Sequence, residues 1–149
     1  MYLKSKLTDG GYKILTWNER KTIYRIYWQG SKSIMKNSED EITYQSEQNT
    51  PRTIINFTWN QKYLIEYNQE NFEIFCKNYL KGEWGLISDN CEVVLSKRKA
   101  IKTISFDNEL FAKFDFDEIY FKYDHTFKIE LSLALYFTLH PPWSELPFN

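Results

Sequence analysis

Apolar residues recur along this chain mostly with a period of two, and that alternation points to a β-rich fold. The clearest stretch is 101–129. Ile104 and Phe106 share one face of a strand that ends at Asp107-Asn108. Leu110, Ala112, Phe114 and Phe116 then alternate with Phe111, Lys113 and Asp115. Asp117-Glu118 turns the chain, and Ile119, Phe121 and Tyr123 alternate with Tyr120 and Lys122. Asp124-His125-Thr126 closes that strand, and 127–129 begins another. Short strands at roughly 8–12-residue spacing predict an antiparallel sandwich or barrel.

Upstream the same grammar holds with weaker signals. Asp9-Gly10-Gly11 is a turn, and 12–17 suits a first strand. Residues 22–28 (TIYRIYW) are dense in β-branched and aromatic side chains, which suit a pleated, half-buried surface. The segment 36–52 (KNSEDEITYQSEQNTPR) is poor in apolar residues and reads as a long polar loop around one short strand, 42–45. Residues 53–59 (TIINFTW) and 63–67 (YLIEY) read as strands joined at Asn60-Gln61. In 71–80, Phe72, Phe75, Cys76 and Tyr79 share a helical face, while Phe72, Ile74 and Cys76 alternate as a strand; the β surroundings favour the strand. Residues 83–88 and 91–95 form a hairpin about Asp89-Asn90.

One segment breaks the pattern. Residues 131–139 (LSLALYFTL) carry no charge and are apolar nearly all the way round. Leu and Ala favour a helix, and Pro141-Pro142 stops it. The run is far shorter than the roughly 18 residues that span a bilayer, so it predicts a short helix buried in the β structure. The fold class is therefore mainly β (α+β): a barrel or sandwich with a buried hydrophobic C-terminal helix, one globular domain over 1–149, and a tail after the helix.

Charge and composition narrow the chemistry. Aromatic residues make up 18% of the chain, and disordered chains are poor in them. The net charge of −1 is well mixed, which argues against a nucleic-acid partner. Basic and aromatic residues interleave at Tyr24-Arg25-Ile26-Tyr27-Trp28; that face can stack on bases, but sheet packing accounts for it better. The tightest basic cluster is Lys97-Arg98-Lys99, with Lys102 close behind. Such runs are usually solvated turns; the functional alternative is contact with a phosphate or a lipid headgroup.

Cys76 and Cys91 match no metal or redox spacing. The N-terminus has no apolar h-region of a secretory signal, so a reduced, cytoplasmic protein is expected. His125 with Asp124 is a conceivable acid–base pair but reads as an exposed turn, and His140 reads as a segment end. Asp115, Asp117 and Glu118 cluster in sequence; a cation site there would need further ordered oxygen ligands. No P-loop, GxSxG or HExxH occurs, so neither a metal nor a cofactor is expected.

The order of a WGLISDN hairpin, FDNELFAKF (106–114), YFKYDHTFKI (120–129) and an uncharged terminal helix resembles the bacterial relatives of the tubby C-terminal, LURP-one and phospholipid-scramblase group. The resemblance covers mainly 83–139 and is one of strands and turns, with no diagnostic polar motif. It implies a closed antiparallel barrel wrapped around a hydrophobic C-terminal helix. Eukaryotic tubby domains bind phosphoinositides through basic residues, and no position here matches that site. Three functional classes follow: a non-enzymatic binding module for a lipid or a protein partner, an interaction partner such as a bacterial immunity protein, and an enzyme whose site is assembled only in space.

Overall fold

The computed structural model describes residues 1–18, 20–30, 32–48, 62–78, 80–88 and 91–141. Among them, twelve strands and one helix make up the fold. The strands are β1 (Tyr2–Leu7), β2 (Lys13–Trp17), β3 (Lys21–Gln29), β4 (Lys32–Asn37), β5 (Ile42–Gln48), β6 (Lys62–Tyr67), β7 (Glu70–Asn78), β8 (Glu83–Ile87), β9 (Glu92–Arg98), β10 (Ile101–Phe106), β11 (Glu109–Asp115) and β12 (Glu118–Phe121). The helix is α1 (Thr126–Leu139). Each strand pairs antiparallel with the next, and β1 pairs with β12 to close a barrel. Leu3 lies opposite Ile119 at this seam, and the Met1 ammonium donates to the Phe121 carbonyl at 3.0 Å. Closure leaves no unpaired sheet edge among these strands.

Alternate residues of each strand point inward, and these form the core: Leu15 on β2, Ile26 on β3, Met35 on β4, Tyr44 on β5, Ile65 on β6 and Leu95 on β9 are all shut off from solvent. Eight strands enclose an interior that their own side chains just fill. Twelve enclose a wider one, and α1 occupies it. Every residue from Leu131 to Thr138 is buried, more than two full turns, so every face of the helix is covered. Its contacts reach staves on both sides of the ring. Tyr136 stacks on Phe114 of β11 at 4.0 Å between ring centroids, and Phe137 meets Trp28 of β3 edge-on. Burying Leu131, Leu133 and Leu135 contributes roughly 1.5–3 kcal/mol each.

Polar side chains that face inward are paired near the end of α1. Thr138 donates to Ser46 at 2.8 Å, and the Ser33 and Tyr44 hydroxyls share a bond of 2.8 Å. Small inward serines also leave room for the helix. On β8, Gly85 is needed for packing: a Cβ there would come within 2.9 Å of the Phe75 ring.

Several expectations change. The first strand is β1, ahead of the Asp9-Gly10 turn; its inward residues, Leu3 and Ser5, are too few and too mixed to stand out. The polar segment expected as a long loop over 36–52 is mostly strand in its described part, 36–48, and 49–52 lie outside the described residues. Residues 36–37 end β4, a tight turn follows, and β5 runs from Ile42 to Gln48 with Tyr44 and Ser46 inside the barrel. Its hydrophilic appearance comes from an outward face of Gln and Glu and from an inward serine that hydrogen-bonds the helix. The ambiguous stretch 71–80 contributes to strand β7.

The strict alternation 110–116 is interrupted by a bulge. Register shifts between Ile104 and Ser105, so Ile104 faces Ala112 and Ser105 faces Leu110. Phe111 and Ala112 are consequently both buried, and Leu110 and Phe116 are exposed. Residues 127–129 begin no strand: they belong to α1, which starts five residues before the predicted helix. The predicted strand 53–59, the turns Asn60-Gln61 and Asp89-Asn90 and the tail 143–149 lie outside the described residues.

Candidate functional site

An antiparallel barrel presents its turns at two mouths. Here they differ because α1 runs from one to the other. The N mouth, where α1 begins, carries the β4–β5, β6–β7 and β10–β11 turns. The C mouth, where it ends, carries the turns around Leu80, Lys99 and Phe116.

At the N mouth, His125 caps the helix: its Nδ1 accepts from the Lys128 amide at 3.3 Å. It is therefore a structural cap, not half of an acid–base pair. One turn later, Glu130 enters the barrel. Tyr67 donates to its Oε1 at 2.7 Å and Tyr24 to its Oε2 at 2.9 Å. Burial, then the Glu130 carboxylate, pushes both phenols well above their ordinary pKa. Outside this triad a groove of about 420 Å³ is lined by Asn37, Glu41, Ile42, Thr43, Glu66 and Glu130, among others. Glu39 crowds Glu41 and pushes its carboxyl up.

At the C mouth the charge is opposite. Lys13 of β2 is 4% exposed, and its ammonium lies 5.7 Å from the Phe137 ring centroid. Lys102 approaches the Tyr136 ring at 5.8 Å. The last carbonyls of α1 carry the negative end of the helix dipole, which favours cations here. His140 stacks on Tyr136 and shares a 2.8 Å hydrogen bond with its carbonyl. Burial, followed by Lys102 and then by Lys13 and Lys97, pushes its pKa down to about 3.

The sequence candidates separate at this mouth. Lys97 and Lys99 line a groove of about 640 Å³ between the β7–β8 and β9–β10 turns, together with Leu80, Lys81, Gly82 and Glu83. Lys102 points instead over the helix end, and Arg98, exposed at the end of β9, does not line the groove. Lys81 joins the site although it lies sixteen positions before Lys97 in sequence; strand pairing alone reveals it. Among the described residues no ion pair involves Lys81, Lys97 or Lys99. Leu80, at 94% exposure, stands beside them in solvent. Lys99 adopts φ 58, the left-handed turn conformation that swings the chain from β9 into β10.

The other candidates do not converge. Asp115 ends β11, Asp117 spends its carbonyl on the Ser5 amide, and Glu118 accepts from Tyr2 and Tyr120. Cys76 lies near the C mouth and Cys91 near the N mouth, both as free thiols. Among the described residues no three metal-ligating side chains gather, and no helix is long and apolar enough to cross a membrane.

No family model matches the sequence, and no curated protein or solved structure matches it either.

Proposed function

We propose that this chain is a non-enzymatic binding module that docks on an anionic, phosphate-bearing lipid surface through the groove at its C mouth. The observation that carries this reading is the grouping of Lys81, Lys97 and Lys99, without ion-pair partners among the described residues, around the fully projecting Leu80. Cations held beside an exposed apolar tip suit a headgroup layer: the ammonium groups meet phosphate while the leucine enters the acyl boundary. The closed barrel around a hydrophobic C-terminal helix is compatible with the architecture that the tubby, LURP-one and scramblase resemblance implies. Of the two histidines, one caps α1 and the other is packed against Tyr136, so neither faces the basic groove.

Each cation near an anionic surface is worth about 1 kcal/mol. Lys97→Ala with Lys99→Ala should therefore weaken binding by about 30-fold. The test is co-sedimentation with phosphatidylglycerol vesicles against phosphatidylcholine vesicles. Binding to the anionic vesicles alone, reduced by the double substitution and by salt, is expected. Equal binding to both vesicle types, or an unchanged affinity in the double variant, would refute the reading.

A further inference from the structure

The two mouths carry opposite charge and complementary relief. At the C mouth, Leu80 projects from the β7–β8 turn with Lys81, Lys97 and Lys99 about its base. At the N mouth, a groove of about 420 Å³ is lined by Ile42, 53% exposed, together with Glu41, Glu66 and Glu130. No lysine or arginine lines that groove; Lys36, the cross-strand partner of Ile42, bridges Asp40 at 3.6 Å. We propose that the chain associates head to tail with further copies of itself, the Leu80 tip and lysines of one molecule seating in the Glu41–Glu66 groove of the next.

Charge excludes the symmetric alternatives. Tip against tip or groove against groove would set like charges face to face. The closed barrel also leaves no strand edge for pairing among the described strands. The dipole of α1 opposes the rim charge at each mouth, but about half a charge per end is small beside several side chains. A heterologous contact between opposite ends does not close on itself unless the rotation forms a ring, so the products grow with concentration. The proposal does not rest on the membrane reading; where both hold, a second copy and a lipid surface compete for the same lysines.

Sedimentation velocity tests it. The wild-type chain should show a weight-average mass that rises with concentration at low salt and returns to the monomer near ~0.5 M salt, where charges are screened within a few ångströms. Glu41→Lys with Glu66→Lys gives a molecule with two basic ends, and Lys97→Glu with Lys99→Glu gives one with two acidic ends. All four positions are exposed, so the fold should tolerate the reversals. Each variant alone should stay monomeric, and their mixture should at least double the average mass. A wild-type monomer at every concentration in low salt would overturn the proposal. So would a mixture no heavier than its components, or a dimer that persists in both variants. A Glu41→Gln, Glu66→Gln variant keeps the basic groove and adds no second basic end, so its binding to phosphatidylglycerol vesicles reports on the membrane reading alone.

Discussion

Glu130 holds the start of α1 to the barrel wall, and its replacement by leucine gives a measurable test of how that helix is seated. Tyr24 and Tyr67 are 8% and 6% exposed, and each spends its hydroxyl on one Glu130 oxygen. Glu130→Leu leaves both hydroxyls without an acceptor. An unsatisfied buried hydroxyl costs about 1–3 kcal/mol. Tyr67 borders the open groove, where water can replace part of its bond, so the lower half of that range applies to it. The total is about 2–5 kcal/mol out of the roughly 5–15 kcal/mol that keeps a domain folded. In urea, with a slope of about 2 kcal/mol/M, the unfolding midpoint should fall by about 1–2.5 M. The triple variant Tyr24→Phe, Tyr67→Phe, Glu130→Leu removes donors and acceptor together and should recover most of the loss, because a matched apolar replacement strands no polar group. Tryptophan fluorescence during urea unfolding reads both. If Glu130→Leu is no less stable than the triple variant, the triad is a solvated surface contact and does not seat the helix.

Further predictions concern the other end of the helix and its middle. Leu135→Ala, at a position with no solvent exposure, should cost about 2–5 kcal/mol; an unchanged midpoint with lost vesicle binding would mean that the segment is an anchor instead of a core helix. His140 has a folded pKa pushed down to about 3, so between its ordinary value near 6.5 and about 3 the unfolded chain binds the extra proton, and stability falls as pH falls through that window. Because His140 is half-buried and solvent screens part of its environment, the effect should be about 1–2 kcal/mol between pH 7 and pH 4. His140→Gln should flatten that part of the stability–pH curve, as followed by thermal melts, and an unchanged slope would show that the ring is solvated.

Much of this protein was legible along the chain because strand periodicity and local turn chemistry are properties of neighbours in sequence. Ile104 with Phe106, and Ile119 with Phe121, point to one face in any β arrangement, and the barrel uses them so. An uncharged run of Leu and Ala that must hide every face also announces a buried helix. Tertiary structure decided what depends on residues far apart. Ser5, Ser33 and Ser46 look like solvent positions but face inward, because a lumen twelve strands wide must admit a helix, and two of them find hydroxyl partners on β5 and α1. The bulge that buries both Phe111 and Ala112 follows from the pairing of β10 with β11. Glu130 looks like an ordinary helix carboxylate until two tyrosines from distant staves meet it. The basic groove assembles Lys81 with Lys97 and Lys99 only when β8 pairs with β9, and the opposition of its charge to that of the N mouth is invisible in a sequence whose charges average to −1. Composition sums charge over the chain; barrel closure sorts it along an axis.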